Sequence, residues 1–245
     1  MSKEKPYIVD ETKELVFYYK PPGLYTTATK STHSLEHYIK QSFSTALPES
    51  GLLSRLDLWT SGGVLAAKSE KTYSNFKKLQ KEGYLKKEYL AVVLGHFKKE
   101  GIVKTLIAAR YRRSKKVKAF SLDELRKVKK TYRSAQRAEA QYNFIDYNKK
   151  LNLSLIEVIL SKGRRHQIRA QLQFLGHPLL GDELYGSSLP LKDLLPPLEE
   201  HYRYILHCKA VKAEHNSQKP PLFFYCPPSK ILQKVLFETF KNFKK

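Results

Sequence analysis

The residue whose type and setting best suit catalysis is Asp57, which lies between Leu56 and Leu58 in the segment SRLDLWTSGGVLAAKS. A carboxylate that apolar neighbours shield from water can act as a nucleophile or as a general base, and both roles need its ionised form. The same residue could instead cap a turn, because an aspartate followed by Thr, Ser and Gly is ordinary turn chemistry. Asp57 alone therefore leaves a catalytic and a structural interpretation open.

Several other kinds of catalytic site lack support in the sequence. There is no GxxxxGK[ST], GxGxxG or HExxH motif, and Ser61 lies outside a GxSxG context. The eight histidines are scattered, and Cys208 and Cys226 form no CxxC pair, so no metal site is expected. Nothing pairs Asp57 with a second acid, as a two-carboxylate glycosidase would need.

The charge of the chain indicates a polyanionic partner. It carries 45 lysines and arginines against 23 aspartates and glutamates, a formal net charge of +22, and phosphates are the natural counterpart of such an excess. The stretch from Arg110 to Arg137, here called the basic segment, holds twelve basic residues against two acids. A solvated charged surface is the alternative. The interleaved aromatics of the segment nevertheless suit phosphates and unstacked bases: Tyr111, Phe120 and Tyr132.

Hydrophobic periodicity predicts the elements that must position these residues. Strands are expected at Glu14–Lys20, Val64–Ala67, Lys87–Gly95 and Leu151–Leu160. Apolar residues at three-residue spacing predict a helix that follows the second of these strands: Tyr73, Phe76 and Leu79. An amphipathic helix with a basic end is expected over Lys230–Lys245.

A further helix is predicted over Ser161–Gly176, in the segment SKGRRHQIRAQLQFLG. Its apolar residues recur at i, i+4 and i+7, and Gly176 stands where helices commonly end in the left-handed conformation. Arg165 and Arg169 are spaced i, i+4, so they are expected to share a separate, polar face.

The cellular compartment is expected to be the cytoplasm. The N-terminus is charged and lacks the apolar stretch of a secretory signal, and no apolar run approaches the about 20 residues of a membrane span. Two unpaired cysteines suit buried, reduced thiols in a reducing cytosol.

Six short motifs, taken together, resemble those of the RluA-type pseudouridine synthases. The segment RLDLWTSG at 55–62 is similar to the RLDxxTSG of that family, although Ser54 replaces its preceding histidine and Leu58 and Trp59 replace a more polar pair. The other matches follow in the family's order: KPxGL at 20–24, KxYxAxVxG at 87–95, GRxHQIR at 163–169, GHPxxGDxxYG at 176–186 and an LH element at 206–207. The departures leave the shape of the Asp57 loop and the RNA target open.

The resemblance implies a role for each matching residue. Asp57 would be the catalytic aspartate, Tyr89 would pack against the target base, and Arg169 would pair with Asp57 near the scissile bond. Arg55 would fill the gap that an extruded uridine leaves in the RNA stack, and Leu206 would line the pocket. The remaining substrate-binding residues implied by the motifs are Lys20, Lys87, Arg164, Arg165, His166 and Gln167.

The resemblance also implies an α+β fold: a mixed, mostly antiparallel sheet in two halves, flanked by helices, with a central active-site cleft. The expected protein is a monomeric RNA pseudouridine synthase without metal or organic cofactor, acting on uridines of structured ribosomal or transfer RNA. Residues 1–245 are expected to form one catalytic domain, with its core at about 14–226 and no room for the N-terminal S4 domain of many relatives.

Two alternatives stay open at this point. Asp57 could attack C1′ of the nucleotide or remove the C2′ proton, and the residues do not distinguish these routes. The chain could also be a catalytically silent RNA-binding or ribosome-assembly protein on the same scaffold. The joint presence of Asp57, Tyr89 and Arg169 favours the enzyme, since a silent scaffold would not need all three.

Overall fold

The computed structural model describes residues 4–28, 33–42, 46–111, 113–187, 189–213 and 221–243. The chain divides into two compact units. Unit 1 comprises Met1–Tyr89 and Leu206–Ser229, and unit 2 comprises Leu90–Ile205 and Lys230–Lys245. Asp57 lies in unit 1 and the GRRHQIR segment lies in unit 2, so both units contribute predicted site residues.

The described residues form ten strands and six α-helices. The strands are β1 Tyr7–Glu11, β2 Leu15–Lys20, β3 Ser61–Ala67, β4 Leu85–Leu94, β5 Gly101–Ala108, β6 Lys118–Phe120, β7 Gln136–Asn148, β8 Leu153–Leu160, β9 Leu206–Ala213 and β10 Leu222–Tyr225. The helices are α1 Leu35–Ser42, α2 Glu70–Glu82, α3 Leu125–Thr131, α4 Gln167–Phe174, α5 Leu191–Leu194 and α6 Lys230–Thr239. None of the described helices combines the length and the apolar character needed to cross a bilayer.

Unit 1 is built on the strand order β1-β2-β3-β9, with β10 paired to β9. The β1–β2, β2–β3 and β9–β10 pairings are antiparallel, and the β3–β9 pairing is parallel. All residues of β2 and β3 are buried, which explains the apolar runs at 15–19 and 64–67. Gly62 allows β3 and β9 to approach, because a Cβ there would lie 2.3 Å from the carbonyl oxygen of Cys208.

Unit 2 contains the second half of β4, followed in the sheet by β8, β7, β5 and β6. The β8–β7, β7–β5 and β5–β6 pairings are antiparallel. Leu232, Val235 and Leu236 of α6 pack into the main apolar core of this unit with Leu153 and Leu155 of β8. The α+β fold with a mixed, mostly antiparallel sheet flanked by helices is therefore confirmed, as are the four predicted strands and the helix α2.

Two predicted helices have wrong boundaries. Helix α4 begins at Gln167 instead of Ser161, because His166 adopts a left-handed conformation (φ 51°) that is incompatible with a helix. Arg165 therefore lies outside the helix and does not share a helical face with Arg169. The predicted left-handed Gly176 is confirmed (φ 81°). Helix α6 ends at Thr239, so the predicted continuation to Lys245 is wrong.

Candidate active site

Asp57 lies in a tight turn whose backbone is hydrogen-bonded to the rest of unit 1. The Thr60 N–H donates to the Asp57 carbonyl oxygen at 3.1 Å, which closes the turn. The carbonyl oxygen of Leu58 accepts from the Gly23 N–H at 2.9 Å. Asp57 is partly buried and follows the buried Leu56. The predicted turn and the predicted apolar setting thus occur together. The backbone hydrogen bonds hold the turn that carries the Asp57 carboxylate in place within unit 1.

Lys20 is fully buried next to this turn. Its ammonium group donates to the carbonyl oxygens of Pro21 (2.9 Å), Leu24 (2.8 Å) and Leu58 (3.2 Å). Burial lowers the pKa of Lys20 to about 7, although the nearby Asp57 carboxylate acts in the opposite direction. These contacts link the KPPGL turn to the residue after Asp57, so Lys20 has a structural role beside its predicted contact with RNA.

The buried position of Lys20 makes stability depend on pH. Between about pH 7 and 10.5 the unfolded chain holds a proton on Lys20 that the folded chain has released, so the unfolding free energy rises with pH in this window. We expect urea unfolding to show that the stability of wild type relative to Lys20→Met increases from pH 7 to pH 10. The exposed Lys71→Met variant is the control and should show no such trend. Parallel curves for wild type and Lys20→Met would contradict this prediction.

Tyr89 is buried in β4. Burial above all, and then Cys208 and the Asp57 carboxylate, raise the pKa of Tyr89 well above its ordinary value. The phenol is therefore neutral at physiological pH. Cys208 and Cys226 are buried free thiols, as predicted, and burial raises the pKa of Cys208 to about 12.

The start of β9 holds a buried histidine that the predicted set of site residues omitted. His207 Nδ1 lies 2.9 Å from Ser61 Oγ, and Nε2 lies 2.9 Å from the carbonyl oxygen of Cys226. Because a carbonyl only accepts, Nε2 carries the hydrogen and Nδ1 accepts from the Ser61 hydroxyl. Burial lowers the pKa of His207 to about 4, so the ring is neutral. Its neighbour Leu206, predicted to line the pocket, is buried.

The remaining predicted residues of unit 1 differ in accessibility. The Arg55 side chain is 67% exposed, and its guanidinium lies 3.8 Å from the Glu49 carboxylate. Such exposure suits the predicted insertion into RNA. Lys87 is instead buried in β4, and burial lowers its pKa. Its predicted contact with RNA stays a prediction.

In unit 2 the GRRHQIR segment contains both exposed and buried side chains. Arg164 and Arg165 are exposed, whereas Gln167 is buried and donates to the Glu139 carbonyl oxygen at 2.9 Å. His166 Nδ1 lies 3.0 Å from the Tyr185 hydroxyl, which also accepts from the Val117 N–H at 3.0 Å. The Tyr185 hydroxyl thus connects His166 of the GRRHQIR segment to Val117 of the basic segment.

Arg169 forms a bidentate ion pair with Asp182 inside unit 2. Its Nε and Nη2 donate to the two carboxylate oxygens at 2.7 and 2.9 Å. The guanidinium also lies 4.8 Å from the ring centre of Tyr185 and 4.6 Å from that of Tyr204. The prediction of a polar face on this helix is wrong, because Arg169 is buried and its guanidinium is paired with the Asp182 carboxylate. The predicted pairing of Arg169 with Asp57 joins residues of different units and stays a prediction.

Removing the Asp182 carboxylate should destabilise the protein strongly. Asp182→Asn leaves the buried Arg169 guanidinium without this carboxylate, and breaking a buried pair costs about 3–5 kcal/mol of unfolding free energy. Urea unfolding measures the difference, with the exposed Asp193→Asn as a matched control that should stay within about 0.5 kcal/mol of wild type. A loss below about 1 kcal/mol would mean that aromatic contacts hold Arg169 without the ion pair.

The described residues of the basic segment, all but Arg112, include the edge strand β6 and the helix α3 of unit 2. Its two acids, Asp123 and Glu124, belong to a capping box with Ser121, and Val128 of α3 packs on Leu106 and Ala108. The Phe120 and Tyr132 rings pack against each other at 5.2 Å, whereas Tyr111 is 67% exposed. Ten cations are exposed and make no ion pair within the described residues: Arg110, Arg113, Lys115, Lys118, Arg126, Lys127, Lys129, Lys130, Arg133 and Arg137.

Known proteins share both the sequence pattern and the fold of this chain. A profile of the RNA pseudouridylate synthase family matches residues 14–174. An uncharacterized RNA pseudouridine synthase of Mycoplasma genitalium is 28% identical over 90% of this chain and 66% of its own length. The ribosomal large subunit pseudouridine synthase D of Nitrosomonas europaea is 27% identical over 69% of this chain and 45% of its own length.

A solved structure supports the fold independently. Human RNA pseudouridylate synthase domain containing 4 superposes with a TM-score of 0.69 over 95% of this chain and 92% of its own, at 22% identity. The match to the family profile covers most of the chain and includes Asp57, Tyr89 and Arg169. The chain therefore belongs to the RNA pseudouridylate synthase family, as the RluA-type motifs predicted.

Proposed function

We propose that this protein isomerises specific uridines to pseudouridines in structured RNA, with Asp57 as its one catalytic carboxylate. The observation that carries the proposal is the presentation of Asp57 on a hydrogen-bonded turn close enough to Lys20 and Tyr89 to influence the pKa of both. The exposed cations of unit 2 supply the affinity for a phosphate backbone.

The reaction breaks the N1–C1′ bond, turns the freed uracil and rejoins it to C1′ through C5, after which the C5 proton is lost. An ionised Asp57 starts the reaction by attacking C1′ or by removing the C2′ proton. Tyr89 is a neutral phenol, and an aromatic face holds a uracil without fixing its orientation. The base can therefore turn between bond cleavage and bond formation.

Further residues of the predicted site complete this proposal. Arg169 is the cation proposed to accompany Asp57 during catalysis, and Leu206 is proposed to line the pocket. Arg55, which is exposed, fills the vacancy in the stack when the nucleotide is extruded. The exposed Arg164 and Arg165 contact the RNA backbone, and the neighbouring His166 and Gln167 hold the GRRHQIR segment in place.

The RNA target is proposed to be ribosomal or transfer RNA. The name of the Nitrosomonas relative makes ribosomal RNA the first to examine. We further propose that residues 1–245 act as one catalytic domain, as a monomer and in the cytoplasm. The charge of +22 supports an RNA substrate, since lysines and arginines that neutralise phosphates supply much of the affinity for nucleic acid.

Comparing pseudouridine positions in RNA from cells with and without the gene tests the proposal. Chemical labelling followed by sequencing should show one or a few uridines of ribosomal or transfer RNA that are modified only when the gene is present. Restoring the gene should restore those positions, whereas restoring it with Asp57→Asn should not. Identical maps in both strains would contradict the proposed function.

A further inference from the structure

The hydroxyl of Thr26 is bonded to both backbone groups of the residue that precedes Asp57. The Leu56 N–H donates to Thr26 Oγ1 at 3.1 Å, and Thr26 Oγ1 donates to the Leu56 carbonyl oxygen at 2.8 Å. Thr26 and Leu56 are both buried. One hydroxyl thus satisfies the donor and the acceptor of Leu56, as a neighbouring strand would.

Thr26 is itself held by the start of helix α1. Its carbonyl oxygen accepts from the Glu36 N–H at 3.0 Å, and the carbonyl oxygen of Tyr25 accepts from the Leu35 N–H at 2.8 Å. The Glu36 carboxylate in turn accepts from the Ala28 N–H at 2.8 Å. The Thr26 hydroxyl therefore belongs to a segment with three hydrogen bonds to α1, and it offers Leu56 a fixed point of attachment.

Asp57 is consequently held from both sides. Lys20 and Gly23 bind the carbonyl oxygen of Leu58 on its C-terminal side, and Thr26 binds Leu56 on its N-terminal side. We propose that Thr26 is a positioning residue that fixes the Asp57 carboxylate for the chemical step. This inference rests on the proposed catalytic role of Asp57. Thr26 acts through the backbone, so it should govern the rate of the chemical step and leave RNA affinity unchanged.

The test compares Thr26→Val, which keeps the shape and removes the hydroxyl, with Thr26→Ser, which keeps the hydroxyl. A misplacement of about 1 Å can slow an enzymatic step about 100-fold, so the single-turnover rate of Thr26→Val should fall about 10- to 100-fold. The protein concentration at which the single-turnover rate reaches half of its maximum should not change. Thr26→Ser should retain a rate within about threefold of wild type. The substrate is total RNA, tritiated at uracil C5, from cells lacking the gene.

Thr72→Val is the matched control in the same unit. Thr72 is buried in α2, and its hydroxyl accepts from Ser69 Oγ at 2.9 Å. Thr72→Val removes a buried hydroxyl that is bonded to Ser69 and not to the Asp57 turn, so urea unfolding should register the change while the single-turnover rate stays at the wild-type value. A similar loss of rate in Thr72→Val would show that destabilisation alone explains the effect at Thr26.

Other outcomes separate this inference from the proposed function. A wild-type rate for Thr26→Val, or a rate for Thr26→Ser as low as that of Thr26→Val, would overturn the role of the hydroxyl. If Thr26→Val does not unfold cooperatively, Thr26→Ala and Thr26→Ser replace the pair, and equal rates in the two would overturn the inference. Turnover by Asp57→Asn would instead overturn the proposed function.

Discussion

Asp57→Asn is expected to abolish tritium release from C5-labelled RNA while RNA binding stays within about twofold of wild type. The amide has nearly the shape of the carboxylate but can neither attack C1′ nor take the C2′ proton. RNA affinity should persist because many exposed cations of unit 2 remain. Single-turnover tritium release and a filter-binding titration on the same RNA measure the two quantities.

Glu49→Gln is a suitable control for this experiment. Glu49 is an exposed acid of unit 1, and its carboxylate lies near Arg55 without a proposed part in the chemistry. Removing its charge should leave tritium release within about threefold of wild type, since exposed ion pairs contribute little. Substantial turnover by Asp57→Asn would remove the basis for assigning the chemistry to this carboxylate.

Replacing four exposed cations of the basic segment should weaken RNA binding and flatten its salt dependence. The variant carries alanine at Arg113, Lys115, Lys129 and Arg133, which are exposed and make no ion pair within the described part of the chain. Each lost phosphate contact reduces the slope of log K against log salt by about 0.7 to 0.9. Four contacts therefore correspond to a slope reduced by about 3.

The matched control removes the same charge elsewhere in unit 2. Lysines at four other exposed positions are replaced by alanine: Lys149, Lys150, Lys192 and Lys241. The salt slope of this control should change by less than about 1, because nonspecific long-range attraction is screened beyond about 10 Å. Equal slopes in the two variants would mean that only net charge matters. A collapsed single-turnover rate at saturating protein would mean that the basic segment also positions the uridine.

Strands and turns were the most predictable part of this protein. Apolar runs occur within β2, β3, β4 and β8 because these strands are largely buried on both faces, so the composition of the runs predicted the strands. Gly176 follows α4 in the predicted left-handed conformation. This was predictable because glycine is the residue that most commonly adopts that conformation after a helix. The order of the motifs predicted the family, and the profile match over residues 14–174 confirmed it.

The partners of buried polar groups were not predictable in the same way. The ion pair of Arg169 with Asp182 depends on how the GHPxxGDxxYG segment returns to α4, which periodicity does not encode. The start of α4 depends on the left-handed His166, whose ring meets Tyr185. His207 gave a weak signal, an LH pair at the start of an apolar strand, but its bond to Ser61 requires the parallel β3–β9 register.

The central claim is tested most directly by adding the purified protein to RNA that lacks its modification. RNA from cells without the gene is incubated with wild-type protein or with Asp57→Asn, and pseudouridines are then mapped at nucleotide resolution. The account predicts that wild type creates pseudouridine at one or a few positions, the same ones that depend on the gene in cells, and that Asp57→Asn creates none. If wild type binds this RNA and creates no pseudouridine, or if Asp57→Asn creates the same positions, the account is contradicted.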